Sequence, residues 1–445
     1  MPLAARRAQK TRMVTRQKKS LYKLTEMLRL LEKNPHDYAL LLRLQRALVT
    51  VIKRSDQRIA ELKQRKCTLI QERKNGRHSK ASSQALKGQI ASVTEVICDV
   101  QQLLFFWRCF GDGIAFIYLD KYALKHMLYN THDYGEKQSA GALSGKRGFK
   151  LEWAVVRSLA KKQVPSILCD ITNTLRHGDV CGLIGSDPMP IEVKSSTNRN
   201  TRVDRQIANL AALRKFLETD EATDFRGLDR VKRVEFPLSG VNHSSVMNEC
   251  IKQSRATEFA AISPEDGLTY ACFRSPQAVE YFDAHMGPER MVTLLNEAKN
   301  EAGWMPYYPF TLSIREPEAL YEFINGDITL AVILDTQALV RQFAAKGLQA
   351  QFVEHPKCIL LVSRLGAVRG QDPFSAISIA FFGRLFYEFE PIRQMADSEL
   401  HHIQQVESSS REIQVKIDSG ELKAEDIKAK EWPEFKPMRW PDLSA

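Results

Sequence analysis

Apolar residues recur at three- and four-residue steps through Leu41, Leu44, Leu48, Val51, Ile59, Leu62 and Leu69, with Ser55 and Lys66 filling two places in the series. The pattern stops at Asn75-Gly76 and resumes at Ile90, Val93, Ile97, Val100, Leu104 and Trp107. Such spacing keeps one narrow apolar seam on each of two long helices, so the segment predicts a coiled-coil hairpin. The pattern allows the seam to close on itself or on a second copy, a homodimer or other oligomer. Asn34-Pro35 predicts the start of the first helix, the asparagine capping and the proline filling a first-turn place that needs no donor. Residues 1–20 lack apolar periodicity and read as a disordered basic lead-in.

Gly111-Asp112-Gly113 predicts the end of the second helix, and Ser139 to Gly148 a Gly- and Ser-rich loop. A helix is expected over 150–162, then strands around Ile167–Ile171, Val180–Ile184 and Ile191–Val193. An amphipathic helix follows over 202–217 with Ile207, Leu210, Leu213 and Phe216 inward, then a strand at Val231–Phe236. That order describes a compact α/β unit. Residues 240–400 alternate helices and strands again, with Phe259–Ile262 and Leu268–Phe273 flanking a hairpin turn at Glu265-Asp266-Gly267. Cys358–Val362 reads as a buried strand, while Ile328–Leu339 suits strand or helix equally. The end, with Trp432-Pro433 and Trp440-Pro441, reads as a tail lying back on its own fold or as a docking peptide. The expected organisation is a helical arm over 1–110, an α/β domain over 111–237, a second α/β region over 238–400 and a charged tail over 401–445.

Charge sharpens the picture of the arm. Residues 1–80 hold 22 Lys and Arg against 6 Asp and Glu, while the whole chain carries +11. A basic helical segment of this kind can track phosphates or simply face solvent. No run approaches the roughly 18 uninterrupted apolar residues of a membrane span, and no apolar segment follows the basic N-terminus, so neither membrane insertion nor secretion is expected. The eight cysteines are scattered singly, with no paired spacing for zinc. A reduced, cytoplasmic protein is the simplest reading.

Candidate chemistry lies in Arg176-His177-Gly178-Asp179-Val180-Cys181-Gly182-Leu183 and Pro190-Ile191-Glu192-Val193-Lys194. Alternation along a strand puts Glu192 and Lys194 on one face and Ile191 and Val193 on the other. Gly185, Asp187 and Pro188 allow a turn between the two strands, which would set Asp179 beside Glu192. Paired carboxylates are hard ligands suited to Mg²⁺ or Mn²⁺. His177 reads as a turn or surface residue. The loop Gly141-Ala142-Leu143-Ser144-Gly145-Lys146-Arg147 has three residues between its glycines where a phosphate loop has four. Arg147 follows the lysine where Ser or Thr should hold Mg²⁺, which excludes an ATPase loop.

An acid, a variable gap and then acid-x-Lys resembles the PD-(D/E)XK nuclease superfamily, here as Asp179, Glu192 and Lys194. Glu152, on the helix before the first strand, and Gln206, on the helix after the lysine strand, stand where that superfamily often carries functional residues. Gly178 replaces the usual proline before the first acid. The resemblance covers about residues 146–237. It implies a restriction-endonuclease-like α/β core, a metal held by Asp179, Glu192 and Glu152, and catalysis by Lys194 with Gln206. It implies Mg²⁺-dependent cleavage of nucleic acid, double-stranded DNA before RNA, with Arg199 and Arg202 as phosphate contacts. Restriction, repair and antiviral defence enzymes belong to the superfamily, and such an effector would need a regulatory partner. The competing expectations are an inactive nuclease-like nucleic-acid-binding module and an interaction protein organised by its coiled coil.

Overall fold

The computed structural model describes residues 13–133, 135–194, 201–233, 241–275, 289–300, 303–305, 307–368, 374–419 and 436–438. The chain divides into two compact units, residues 1–234 with 297–327 and residues 235–296 with 328–445.

In the first unit, helix α1 (Lys18–Lys33) buries Leu21, Leu24, Leu28 and Leu31 at helical spacing. It begins inside the stretch expected to be a disordered lead-in. It also ends where a helix start was expected, since the Asn34 N–H donates to Leu30 O at 3.0 Å and Asn34 is a C-cap. The next helix, α2 (Tyr38–Asn75), is capped instead by Asp37, whose carboxylate accepts from the Leu40 N–H at 2.8 Å. Asn and Asp are comparable N-caps, so composition alone does not choose between residues three apart. Helix α3 (Lys80–Tyr118) packs back against α2. Leu44, Leu48, Ile59, Leu62, Val93, Ile97 and Val100 are all buried, so the expected seam closes within the chain.

The helix break expected at Gly111-Asp112-Gly113 is absent, because α3 runs through it to Tyr118. These residues serve packing. A Cβ on Gly111 would stand 2.0 Å from Ile171 O, and one on Gly113 would stand 2.9 Å from Leu28 Cδ2. Asp112 between them is buried and accepts from the Asn173 and Thr174 N–H groups at 2.8 and 2.9 Å. The boundary expected at 110/111 therefore falls inside a continuous helix. By length and composition α3 could cross a bilayer, but its second half, from Leu103 to Phe116, is almost wholly buried in protein. The return segment 297–327 also joins this core. Arg29 Nη2 donates to Thr311 O at 2.6 Å and to Ile314 O at 2.8 Å, and Thr311 Oγ1 donates to Cys109 O at 2.9 Å.

Besides short helices at Lys121–Lys125, Phe310–Ser313 and Pro317–Asn325, this unit includes α4 (Phe149–Lys161), strands β1 (Ser166–Leu168), β2 (Val180–Gly182) and β3 (Met189–Ile191), α5 (Thr201–Thr219) and the hairpin β4 (Glu221–Phe225) and β5 (Leu228–Lys232). The first three strands form an antiparallel sheet in sequence order, with Leu168 opposite Val180 and Val180 opposite Ile191. Residues 169–171, expected as the end of the first strand, form instead a short 3-10 turn. Leu213 and Phe216 of α5 are buried as expected, whereas Ile207 is 42% exposed. The strand expected at 231–236 contributes β5, and residues 234–236 lie outside the described residues.

The second unit pairs α6 (Ser244–Thr257) with an antiparallel sheet of order β6-β7-β9-β8: β6 (Phe259–Glu265), β7 (Leu268–Phe273), β8 (Arg290–Leu294) and β9 (Thr329–Asp335). The ambiguous run at 328–339 is both elements in succession. β9 ends at Asp335, whose side chain accepts from Ala338 N at 2.9 Å and caps α7 (Thr336–Ala345). A second antiparallel sheet has the order β12-β11-β10-β13, from β10 (Leu348–Glu354), β11 (Cys358–Arg364), β12 (Phe374–Ser378) and β13 (Lys436–Pro437). The last of these is part of the tail and pairs with the end of β10. Helix α8 (Ile392–Asp418) spans the position near 400 where the tail was expected to begin. The protein is a mixed α/β structure with long N-terminal helices and several small antiparallel sheets.

The two kinds of glycine in α3 make a test. Gly111→Ala should cost about 3 kcal/mol or more, because backbone rather than a movable side chain blocks the new methyl. Gly88→Ala, with nothing within 4 Å of the place its Cβ would take, should be neutral or gain up to about 1 kcal/mol of helix propensity. Urea denaturation of both variants checks this, and equal effects would mean that α3 does not press on the 169–174 loop.

Candidate functional site

Antiparallel pairing explains where the acids go. The exit of β1, the entrance of β2 and the exit of β3 lie at one edge of the sheet, and each is followed or preceded by a carboxylate: Asp170, Asp179 and Glu192. Asp179 N donates to Ile191 O at 2.9 Å, and Asp179 Oδ2 accepts from Val193 N at 3.0 Å. Asp179 therefore meets the end of β3 as expected. That strand stops at Ile191, however, so Glu192, Val193 and Lys194 follow it outside the sheet and the expected strand alternation does not place them. Gly178 makes the meeting possible. Its φ is +79°, and a Cβ there would come within 3.0 Å of Ile191 N and O, so neither proline nor a larger residue suits this approach.

Helix α4 adds a fourth carboxylate. Glu152 stands in its first turn, is 2% exposed and faces Gly148, where a Cβ would lie 2.7 Å from Glu152 Oε1. Into this group reaches Lys146, from the Gly-rich loop before α4. Its Nζ lies 2.7 Å from Asp170 Oδ2, 2.9 Å from Glu152 Oε1 and 3.2 Å from Asp179 Oδ1. Glu152 Oε2 is buried with no hydrogen-bond partner among the described residues.

The long helices hold the loops that carry these groups. Asp56 of α2 accepts from the Leu143 and Ser144 N–H groups at 2.7 and 3.3 Å, just before Lys146. Arg108 of α3 donates to Gly141 O at 2.9 Å and to Asp170 O at 3.2 Å. Arg176 Nη2 donates to Cys169 O at 2.7 Å and to Thr172 O, closing the loop from inside.

Two further lysines bear on Glu192. Lys194 is exposed, and its charge favours the ionised form of Glu192. Lys137 lies 3.3 Å from His177 Nδ1 and acts on Glu192 in the same sense. His177 is buried rather than at the surface, and its Nε2 lies 2.9 Å from Tyr129 O. Burial, then the Lys137 charge, lowers its pKa to about 4, so at neutral pH the ring donates to Tyr129 O and offers Nδ1 to the lysine. His177 is thereby a positioning residue for Lys137.

Burial and repulsion set the proton affinities. Glu192 is half-buried, and desolvation, then the neighbouring Asp179, raise its pKa above the ordinary value, partly offset by Lys194, Lys146 and Lys137. Desolvation also raises Glu152, with Asp179 and Asp170 adding to the rise and the Lys146 hydrogen bond opposing it. For Lys146, burial works against the charge, but the hydrogen bonds to Asp170 and Glu152 and the Asp170 and Asp179 charges outweigh it and raise its pKa.

Of the residues singled out in the sequence, Glu152, Asp179, Glu192 and Lys194 are gathered at this edge. Gln206 is exposed on α5 with no contact to the carboxylates among the described residues. Arg199 lies outside the described residues, and Arg202 stands in the first turn of α5. Asp170 and Lys146 belong to the cluster although neither is a site residue by sequence pattern. The signal for Asp170 is an acid closing an apolar run, Ile167-Leu168-Cys169, as Glu192 closes the next. Lys146 stands in the sequence only as part of a loop that fails the phosphate-loop pattern. Among the described residues no group of three or more His, Cys, Asp or Glu side chains converges into a ready metal cage; the Lys146 ammonium lies between three of the carboxylates.

The raised pKa of Glu192 predicts a pH-dependent gain on neutralisation. A carboxyl that holds its proton more tightly when folded loses stability as pH rises from about 4.5 through its folded pKa, and loses nothing below that window. Glu192→Gln should therefore raise the melting temperature at pH 7, with the gain shrinking towards zero below pH 4.5. A variant less stable than wild type at pH 7 would mean that the three lysines dominate its surroundings.

No protein-family model matches the chain, no curated protein matches its sequence, and no solved structure matches its fold.

Proposed function

We propose that this protein is a metal-dependent nuclease whose site is the carboxylate edge of the three-stranded sheet, on a restriction-endonuclease-like plan. The observation that carries the reading is the pairing of β2 with β3, which sets Asp179 against the end of β3, just before Glu192, with Glu152 and Asp170 beside it. The donor set is all oxygen, partly exposed on the Asp170 and Asp179 side and closed on the Glu152 side, which suits Mg²⁺ or Mn²⁺. Asp179 and Glu152 would hold the ion, with Glu192 at the same end of the sheet. When bound, it supplies Lewis-acid stabilisation of the charge that develops at the phosphoryl group.

The side chains supply the rest. Val193 N–H fixes one Asp179 oxygen, so that carboxylate presents a constant geometry. Lys194, exposed at the open edge, places a compact positive charge where a phosphate would approach. At the far end of the α2–α3 hairpin, Arg65, Arg73, Lys74, Arg77, Lys80 and Lys87 are exposed. This basic tip suits the backbone of nucleic acid, with DNA as the substrate to try first. A second reading is an inactive nucleic-acid-binding relative of such enzymes, favoured by the ammonium that already balances part of the acidic charge.

Single-turnover cleavage of plasmid DNA and of RNA, with Mg²⁺ or with EDTA, separates the two. Wild type should cut only with metal, and Asp179→Ala or Glu192→Ala should abolish cutting. Glu192→Ala should leave the melting temperature unchanged or slightly higher, while Asp179→Ala, which strips a partner from Val193 N–H and from Lys146, should lower it. Lys194→Met should lose on the order of 10²–10³ in rate with little change in nucleic-acid affinity. Metal-independent or absent cleavage by wild type, or full activity in these variants, would reject the nuclease reading.

The basic tip is tested by binding. Replacing Arg73, Lys74, Arg77 and Lys80 together by serine should weaken binding and reduce the slope of log affinity against log salt by about three to four. An unchanged slope would mark the tip as a solvent-facing surface.

A further inference from the structure

The metal ligands expected from the sequence were Asp179, Glu192 and Glu152, but the structure points to a different set around the same edge. One cation, Lys146 Nζ, contacts Asp170, Glu152 and Asp179 at 2.7, 2.9 and 3.2 Å. A single ammonium is shared among three carboxylates there, while the Arg108 and Arg176 guanidiniums act on Asp170 from the protein side and Lys137 and Lys194 act on Glu192. The second oxygen of Glu152 is buried and unpartnered among the described residues, in a side chain only 3% exposed. A buried, unpaired carboxylate oxygen is costly. A divalent cation would satisfy it and double the compensating charge.

The lysine is also placed to leave. Its side chain is 27% exposed, and Gly145, at φ +77°, precedes it with nothing near its Cβ direction. Asp56 and Arg108 fix the loop upstream, at residues 141–144, so the tether stays while the ammonium moves.

We propose that Lys146 is a tethered cation that holds the divalent-metal subsite formed by Glu152, Asp170 and Asp179, and that a metal ion binds there by displacing it. This rests on the reading of the edge as a metal site, and adds Asp170 as a ligand and Lys146 as the competitor. Metal entry exchanges one cation for another, and the acidic group is never left without a counter-charge.

The test uses the full-length protein after chelator treatment, with Mn²⁺ alone as the probe. Binding is read from the electron paramagnetic resonance signal of free Mn²⁺, and melting is followed with and without the ion. Lys146→Met removes the competing charge, so it should bind Mn²⁺ at least on the order of tenfold more tightly than wild type. It should melt lower than wild type without metal and recover when Mn²⁺ is added. Asp170→Asn, which relieves repulsion and should fold readily, should bind Mn²⁺ at least on the order of tenfold more weakly. Equal or weaker binding by Lys146→Met, or unchanged binding by Asp170→Asn, overturns the proposal, as does a wild type and Lys146→Met pair that both fail to bind. If Lys146→Met does not fold, the Asp170→Asn result decides alone. Tight Mn²⁺ binding in Lys146→Met without cleavage of any nucleic acid would reject the nuclease reading and leave this inference standing. Metal-dependent cleavage with unchanged Mn²⁺ affinities would do the reverse.

Discussion

Four carboxylates brought to one edge of a small sheet repel one another, and the structure around them is organised by that repulsion. Asp170, Asp179 and Glu192 arrive there because three short strands alternate in direction, and Glu152 arrives from the helix that packs on β1. Nothing in hydrophobic packing asks for this. An apolar sheet edge would be simpler and no less stable, since buried ion pairs seldom repay their desolvation. Lys146 compensates part of the charge and Val193 N–H another part; Arg108 and Arg176 act on Asp170, and Lys137 and Lys194 on Glu192. The unpartnered Glu152 oxygen, beside an ammonium shared by three carboxylates, is the feature that makes a cation site the economical explanation.

The long N-terminal helices take on a different meaning in that light. Their base is a buttress: Asp56 and Arg108 hold the loop that delivers Lys146, while Asp112 holds the loop after Asp170. Gly111 lets that second loop press directly on α3. The site is therefore fixed by main-chain contacts to rigid helices, which is how precise geometry is usually maintained at a functional centre. Only the distal part of the hairpin, where Arg73, Lys74 and Arg77 are exposed, is free of this duty.

Local patterns make much of this legible in the sequence. The spacing between Asp179 and the run ending at Ile191 is enough to bring Asp179 to that strand's end, although Glu192 to Lys194 lie beyond the strand and outside its alternation. The seam residues of α2 and α3 reveal the hairpin. What stays hidden depends on tertiary contact. Gly111-Asp112-Gly113 looks like a break by propensity, and only the carbonyl of Ile171 explains why glycine is required within a helix. Asp170 sits in a 3-10 turn that follows its strand, outside any alternating pattern. Lys146 lies 24 residues from Asp170 and 33 from Asp179, too far for a local motif to link them. Helix α1 is masked by its dense lysines, although its four buried leucines keep helical spacing.

The most direct measurement is a crystal structure of the protein soaked in Mn²⁺, with anomalous scattering recorded at the manganese edge. The account predicts a single strong peak within coordination distance of Glu152, Asp170 and Asp179, with the Lys146 ammonium moved out of the cluster. An unoccupied cluster at high Mn²⁺, with Lys146 still bound to all three carboxylates, would contradict it and make the edge a closed salt-bridge network.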